Sequence, residues 1–221
     1  MKSQLFTTNK YKKVEKNIAL FLNQQQDFLS GPTSKSTRAV GDAVQDILAD
    51  HFEEIVGRNI IKNYSSIFAR RAMADLAFED KKGCYYRVDV KTHRTSTDFN
   101  MPNLTSVERL STFYEDDSNY FVVLMVVYDV QEYAVKVSRV HFVPVEYLSW
   151  SCLTIGALGW GQIQIANSNR LCIDSNSTRK QWMLTLCDIL LDRFYPGEIG
   201  KIGKRVERFE KVRNFWKNHP D

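Results

Sequence analysis

Residues 72–94, AMADLAFEDKKGCYYRVDVKTHR, contain three side chains whose types and spacing could perform phosphodiester chemistry. Asp75 and Asp89 lie on either side of a polar, glycine-containing bend, and Lys91 follows two residues after Asp89. Side chains two residues apart in a strand point to the same face, so Asp89 and Lys91 project together while the flanking valines face the other way. In a β-hairpin, Asp75 can then lie across from Asp89, with both carboxylates within reach of one metal ion.

Two carboxylates this close repel each other, and a bound divalent cation is the usual remedy. Oxygen ligands without His or Cys select hard ions, Mg²⁺ first. A neighbouring lysine can hold an attacking water or neutralise charge that builds on the phosphate. The three residues therefore predict metal-assisted phosphodiester hydrolysis, with Mg²⁺ as the cofactor.

The alternative is a solvated, salt-bridged strand face, which is common for an isolated Asp-x-Lys. Three features favour the catalytic interpretation: the lysine lies in an otherwise apolar strand, a second aspartate lies at hairpin distance, and an amphipathic helix precedes the pair.

Apolar periodicity indicates the elements that must position these side chains. Residues 41–56, GDAVQDILADHFEEIV, predict an amphipathic helix before the hairpin strands, which are expected over 75–78 and 84–92. The run YFVVLMVVY, 120–128, predicts a strand buried on both faces. The other expected elements are a helix over 14–29, a loop over 30–38, a helix over 103–115, strands over 133–145, 162–165 and 170–173, and helices over 179–194 and 200–218. The order predicts an α/β fold with a mixed central β-sheet flanked by helices.

Composition restricts the possible functions only loosely. With 221 residues the chain is expected to form one domain, 1–221, and its net charge of +4 permits a nucleic-acid partner without requiring one. Scattered cysteines and a polar N-terminal segment give no sign of export, so a cytoplasmic location is expected. No zinc-ligand spacing is present, and the longest apolar run is far short of the ~20 residues of a membrane-spanning helix, so no membrane partner is expected.

The hairpin resembles the active site of the PD-(D/E)xK nucleases, with Asp75 as the first acid and Asp89-Val90-Lys91 as the D-x-K; Ala74 stands where the motif has its proline. A narrower resemblance is to type II restriction endonucleases of the blunt-cutting HincII, SwaI and EcoRV-like group. It is carried by four segments in the same order along residues 41–209. These segments are GDAVQDILADHF, DVKTHRTSTDFNMPNL, QIQI and STRKQW.

This resemblance implies a restriction-endonuclease-like fold and a prokaryotic, cytoplasmic homodimer. The dimer would cut both strands of double-stranded DNA at a short palindromic site and leave blunt, 5'-phosphorylated ends. Asp75 and Asp89 would hold Mg²⁺ with the Val90 carbonyl, and Lys91 would position the water. Many relatives add a glutamate from the first helix; here Gln45 and Asp46 are the candidates for an auxiliary role through a water on the metal.

The resemblance also implies a division into a catalytic core, about 41–145, and a DNA-recognition and C-terminal helical part, about 146–221. Amide side chains suit adenine edges, and loops beside the cut can read DNA through its deformation. The predicted DNA-binding residues are Thr92, Asn100, Met101, Asn103, Gln162, Gln164, Asn167 and Asn169. Without the resemblance, the glutamines would be solvated side chains of a half-exposed strand, and the loop around Asn103 would cap the next helix.

The helix over 200–218 is expected to place Ile202, Val206, Phe209 and Trp216 against the core, with basic residues on its solvated face. Two other functions remain open from the sequence. One is a nuclease of the same fold that acts on damaged or branched DNA, as in repair or junction resolution. The other is a non-catalytic DNA-binding or interaction domain, in which the acidic pair and lysine merely decorate a hairpin.

Overall fold

The computed structural model describes residues 2–25, 35–65, 74–131 and 134–218. The chain has a mixed α/β fold with a five-stranded mixed sheet flanked by helices, as the order of elements predicts. It divides into two compact units, Met1–Ser175 and Asn176–Asp221, and the first contains both sheets. No helix of the described residues is both long and apolar enough to cross a membrane.

The elements largely follow the predicted order, with a short additional N-terminal helix and three additional strands, at 61–65, 103–106 and 153–156. The helices are α1 (Gln4–Thr7), α2 (Tyr11–Gln24), α3 (Thr37–Val56), α4 (Val107–Phe113), α5 (Arg179–Ile189) and α6 (Tyr195–Lys217). The strands are β1 (Ile61–Ser65), β2 (Leu76–Asp80), β3 (Tyr85–Arg94), β4 (Asn103–Ser106), β5 (Asn119–Gln131), β6 (Ala134–Pro144), β7 (Leu153–Gly156) and β8 (Gln162–Ile165).

The five-stranded sheet has the strand order β1-β2-β3-β5-β6. Strands β1, β2 and β3 form an antiparallel meander, β3 pairs with β5 in parallel, and β6 returns antiparallel to β5. The parallel step requires a crossover connection, which β4 and α4 provide. Strand β5 is central and apolar, and its residues 120–126 are buried on both faces. The predicted hairpin thus lies at the middle of the sheet, where β3 is held on both sides by its neighbours.

Strand β2 is shorter than β3, and this difference creates the site. The β2–β3 ladder ends at the pair Leu76 and Val88, whereas β3 continues to Arg94 beside β5. From Asp89 onwards, β3 therefore has a described strand neighbour on one side alone. The opposite edge of β3 is open to side chains from the start of β2 and from α3.

Helix α3 approaches β3 closely because Gly41 has no side chain. Its N-cap is Ser36, whose hydroxyl accepts a hydrogen bond from the Ala39 amide at 3.3 Å, so the helix begins four residues before the predicted 41–56. A Cβ at position 41 would come within 2.9 Å of the Thr92 Oγ1 on β3. This contact brings the next turn of α3, which carries Gln45, to the open edge of β3.

Two expectations about secondary structure are wrong because pairing between distant segments decides the outcome, and a third differs at a helix boundary. Residues 103–106 form β4 rather than helix, because they pair with β8, and Ser106 is the N-cap of the shorter α4. Residues 168–170 form a 3₁₀ turn instead of extending β8, and residue 173 makes an isolated bridge to Leu148. The loop expected over 30–38 lies partly outside the described residues, and its last two residues belong to α3.

The C-terminal unit also departs from expectation. Pro196 does not separate two helices, because it occupies the first turn of α6, where its missing N–H is harmless, and a π-helical segment, Leu190–Phe194, joins α5 to α6. The side chains expected against the core are each more than half exposed; they are Ile202, Val206, Phe209 and Trp216. Helical spacing predicted an apolar stripe correctly but could not show whether a partner covers it.

The Gly41–Thr92 contact predicts a coupled effect of two substitutions. Gly41→Ala should lower the free energy of unfolding despite the ~1 kcal/mol that alanine normally gains in a helix interior, because the new methyl group forces α3 away from β3. Thr92→Ala removes the atom that the methyl group meets, so the double variant should recover stability relative to the Gly41→Ala variant. Urea unfolding of the wild type, the two single variants and the double variant measures the coupling. Additive effects would contradict this packing.

Candidate active site

Asp75 lies immediately before β2 and extends the hairpin register opposite Asp89. Its backbone N–H donates to the Val88 carbonyl at 3.1 Å, which fixes its position against β3. Its carboxylate accepts two hydrogen bonds: Oδ2 from the Val90 amide at 2.6 Å, and Oδ1 from Gln45 Nε2 at 2.9 Å. The carboxylate therefore takes the place of the missing strand at the open edge of β3.

The Val90 carbonyl is available on the same side as Asp75. In a strand the N–H and C=O of one residue point to the same neighbour. Because the Val90 N–H points to Asp75, its carbonyl also faces the open edge rather than β5. This position suits the metal-ligand role that the resemblance implies for Val90.

Asp89 and Lys91 project from the same face of β3, as predicted, and form an ion pair. Lys91 Nζ donates to Asp89 Oδ1 at 2.7 Å. Asp89 is 6 % exposed, and its second oxygen, Oδ2, has no hydrogen-bond partner among the described residues. A buried carboxylate oxygen without a partner is costly unless a proton or a cation satisfies it.

The surroundings of Asp89 raise its pKa from 3.8 to about 7. Burial is the largest cause, and the negative charge of Asp75 raises the pKa further, while Lys91 opposes both through its charge and its hydrogen bond. The influence of Asp75 on this pKa shows that the two carboxylates lie within electrostatic reach of each other. In the metal-free site, Asp89 is therefore partly protonated near neutral pH, and a bound metal ion would displace that proton.

These groups fit a hard divalent cation of the Mg²⁺ type. Among the described residues, no three His, Cys, Asp or Glu side chains form a group that could hold a metal by themselves. Mg²⁺ does not require such a cage, because it commonly uses one or two protein carboxylates and completes its shell with waters and substrate phosphate. Asp89 Oδ2 supplies an unused oxygen, and the Asp75 oxygens keep lone pairs beyond those in their two hydrogen bonds.

A cleft of about 420 Å³ opens beside this constellation. One wall is the N-terminal part of α3, including Arg38 and Gln45, and another is the end of β3, including Lys91. The loop after β3 forms a further side of the cleft. Lys91 is among the residues that line the cleft, its side chain is 22 % exposed, and its ammonium group contacts Asp89.

The predicted DNA-binding residues divide into two groups in the structure. Thr92 and Asn100 line the cleft, and Met101 follows in the same loop with an exposed side chain. The others lie on or next to the three-stranded sheet, whose strand order is β4-β8-β7. On that sheet, the side chains of Gln164 and Asn103 hydrogen-bond to each other across β8 and β4, and Gln162 is half-buried two residues away.

Asn167 and Asn169 already have structural hydrogen bonds. Asn167 Oδ1 accepts from the Asn169 amide and caps the 3₁₀ turn. Asn169 Nδ2 donates to the carbonyls of Thr97 and Asp98, at 2.9 Å each, and its Oδ1 bonds His93 Nε2 at 2.8 Å. Asn169 therefore connects two loops to β3, a role that its sequence position did not indicate.

Of the auxiliary candidates from α3, Gln45 hydrogen-bonds to Asp75, and Asp46 is exposed on the next position of the helix. Arg94 and Tyr128, which were not expected at the site, line the same cleft. Tyr128 is buried, and its hydroxyl has no hydrogen-bond partner among the described residues. Its place in an apolar strand predicted only core packing, so no sequence signal distinguished it.

Comparison with models of known protein families gives no match for this chain, and comparison with curated proteins gives no significant match.

The raised pKa of Asp89 predicts that the stability of the metal-free protein decreases as the pH rises. The pKa of Asp89 in the folded protein lies above its unfolded value of about 3.8, so protonation of Asp89 favours the folded state. This contribution to the free energy of unfolding is complete below pH 3.8 and is lost as the pH rises through about 7. Asp89→Asn should therefore raise the melting temperature in chelator at pH 8 more than at pH 5. Thermal unfolding measures this difference. Asp50→Asn, an exposed carboxylate on α3, is the control and should show no such trend; equal effects of Asp89→Asn at both pH values would contradict the shift.

The Gln45–Asp75 hydrogen bond predicts how a third acid would change ion binding. Gln45→Glu replaces a donor 2.9 Å from Asp75 Oδ1 with a like charge, which should destabilise the metal-free protein and increase its stabilisation by a divalent cation. Melting temperatures with and without Mg²⁺ or Mn²⁺ should show a larger ion-induced increase than in wild type or Gln45→Ala. An unchanged increase would mean that position 45 lies too far from the ion to affect it.

Proposed function

We propose that this protein is a Mg²⁺-dependent endonuclease that hydrolyses phosphodiester bonds of double-stranded DNA. One observation carries the proposal: Asp75 and Asp89 converge at the edge of β3, and the Asp89 oxygen that has no partner in the described part of the chain lies beside the Lys91 ammonium. If these residues formed only a solvated, salt-bridged strand face, all three would be exposed to water. Asp89 is instead buried, and its pKa is raised although it forms an ion pair.

In this proposal the protein's own residues prepare the site before substrate binds. Gln45 and the Val90 amide fix both oxygens of Asp75, so little reorganisation is required during the reaction. Asp75, Asp89 and the Val90 carbonyl would hold Mg²⁺, which polarises a phosphate oxygen and offsets negative charge in the transition state. Lys91 orients the attacking water and stabilises the charge that develops on the phosphate, since its ammonium is held beside Asp89 by the ion pair.

The charge and shape of the cleft support DNA as the substrate. Among the described residues that line it, three are cationic, Arg38, Lys91 and Arg94, and one is acidic, Asp42. Threonine and asparagine side chains also line the cleft, and such groups commonly contact backbone phosphates. The apolar part of the lining includes Val90, Phe99 and Pro102, so the cleft is basic and of mixed polarity.

The resemblance to type II restriction endonucleases supplies the more specific part of the proposal. It comprises a restriction-endonuclease-like fold, a homodimer and cleavage of a short palindromic site to blunt 5'-phosphate ends. The mixed sheet with flanking helices is compatible with that fold. A two-fold symmetric dimer is the geometry that matches a palindrome. The three-stranded sheet and the loop at 100–103 are then the elements available for base recognition.

Digestion of a plain duplex phage DNA, with the fragment ends mapped, tests this function. The wild type should give discrete fragments in Mg²⁺ and none in excess chelator, and Ca²⁺ should support DNA binding with little cleavage because it positions the water poorly. Asp89→Ala and Lys91→Ala should each reduce the cleavage rate at least ~100-fold, because each removes a charge from the reacting centre, while DNA binding in Ca²⁺ persists.

Asp50→Ala and Lys82→Ala, exposed carboxylate and ammonium groups outside the cleft, are the matched controls and should cut like wild type. Cleavage of only damaged or branched DNA would favour a structure-specific nuclease. Rapid cleavage by either active-site variant would exclude the assigned roles, and DNA binding without cleavage by the wild type would favour a non-catalytic domain.

A further inference from the structure

A second cavity, of about 380 Å³, lies one step further along β3 from the active-site lysine. His93 lines it and follows Lys91 by two residues, so it projects from the same strand face roughly 6–7 Å away along the strand. Met125 of β5 lies directly beside Lys91 in the sheet and also lines the cavity. The volume is at the lower end of the ~300–1,000 Å³ found for small-molecule sites.

Three polar atoms around this cavity have no hydrogen-bond partner within the described ranges of the chain. They are the Nδ1 atoms of His93 and His141 and the hydroxyl of Ser168. His93 is 3 % exposed and Ser168 is 6 % exposed, so bulk water does not solvate them freely. Buried polar groups of this kind normally have partners, and a bound molecule would supply them.

The hydrogen bonds of Asn169 determine the chemistry that His93 offers. Because Asn169 Nδ2 donates to two backbone carbonyls, its Oδ1 must be the acceptor of the bond with His93 Nε2. Nε2 of His93 therefore carries the proton of this bond, and in that tautomer Nδ1 is an acceptor. Burial and the positive charges of Arg139 and Lys12 lower the pKa of His141 to about 4, which favours the neutral form of that ring. A ligand with N–H or O–H donors would therefore satisfy the Nδ1 atoms that face the cavity.

The remaining lining offers apolar surface and one cation, which suit a partly apolar ligand that carries a negative group. Met125, Val127, Leu171 and Ile173 supply apolar surface, and a thioether packs favourably against aromatic rings. The exposed Arg139 supplies a cation at the same cavity. A nucleobase combines a ring with N–H donors at its edge, and the attached phosphate matches a guanidinium group.

We propose that this cavity binds a nucleobase, whose edge is hydrogen-bonded by His93 Nδ1 and the Ser168 hydroxyl and whose phosphate contacts Arg139. Two sources share this chemistry: a free mononucleotide, and a base of the DNA strand turned out of its stack beside the cut. The second source rests on the proposed nuclease function, because it places the adjoining phosphate near Lys91. The first source does not depend on it.

The first arm of the test uses free deoxynucleoside 5'-monophosphates and calorimetric titration with chelator present. At least one of the four should bind with a millimolar or lower Kd. Ser168→Ala should weaken binding of that nucleotide at least ~5-fold. It should not lower the melting temperature of the free protein, since the hydroxyl it removes has no partner among the described residues. Arg139→Gln should weaken binding of the nucleotide but leave binding of the matching nucleoside unchanged. Ser111→Ala, an exposed serine on α4, is the matched control and should bind normally.

The second arm uses duplex DNA with 2-aminopurine beside the mapped cleavage position. Binding in Ca²⁺ should raise its fluorescence, and Val127→Phe, which places a ring in the cavity, should abolish the increase. A response in the first arm alone assigns the site to free nucleotides, and a response in the second alone assigns it to a DNA base. Absence of both responses, or binding that neither Ser168→Ala nor Val127→Phe changes, overturns the proposal and leaves a cavity filled by water. Failure of DNA cleavage leaves the first arm unaffected.

Discussion

Burial of Asp89 beside the negative charge of Asp75 is the constraint on which the site depends. Folding brings Asp75, at the start of β2, opposite Asp89 in β3, and the cost of burying Asp89 there must be offset. The chain does so with hydrogen bonds for Asp75 and an ion pair for Asp89, yet one oxygen of Asp89 has no partner among the described residues. Retaining such a cost at an open cleft is typical of functional sites, where environments shift pKa values for chemistry rather than for stability.

The backbone of β3 explains why this arrangement is possible. If β2 were two residues longer, a strand would occupy the edge where the Asp75 carboxylate now accepts from Val90. Because β2 ends early, the Val90 amide can donate to the Asp75 carboxylate, and the Val90 carbonyl remains directed to the same edge, where a ligand could reach it. Helix α3 can then reach the same edge, since Gly41 permits close approach to Thr92. The position of every active-site group follows from this short strand beside a long one.

The sequence predicted those parts of the structure that local spacing controls. Alternation in β3 placed Asp89 and Lys91 on one face, and an unbroken apolar run identified β5 as buried. Features that depend on distant partners were not predictable: β4 becomes a strand because β8, about sixty residues later, pairs with it. The stripe of α6 illustrates the opposite case, because periodicity defines an apolar face but contains no information about what covers it. The connecting role of Asn169 depends on loop closure, which one sequence does not encode visibly.

The hydrogen bonds of Asn169 have a mechanical consequence. A single amide side chain joins the turn at residues 97–98, the segment after β8 and the imidazole of His93. Nearby backbone hydrogen bonds strengthen this connection, from Ser168 to Asn100 and from Ile165 to Pro102. The two loops therefore cannot shift independently, and a displacement of either one pulls on β3 two residues from Lys91. Strain at the periphery of the domain is thereby transmitted to the strand that holds the ammonium group.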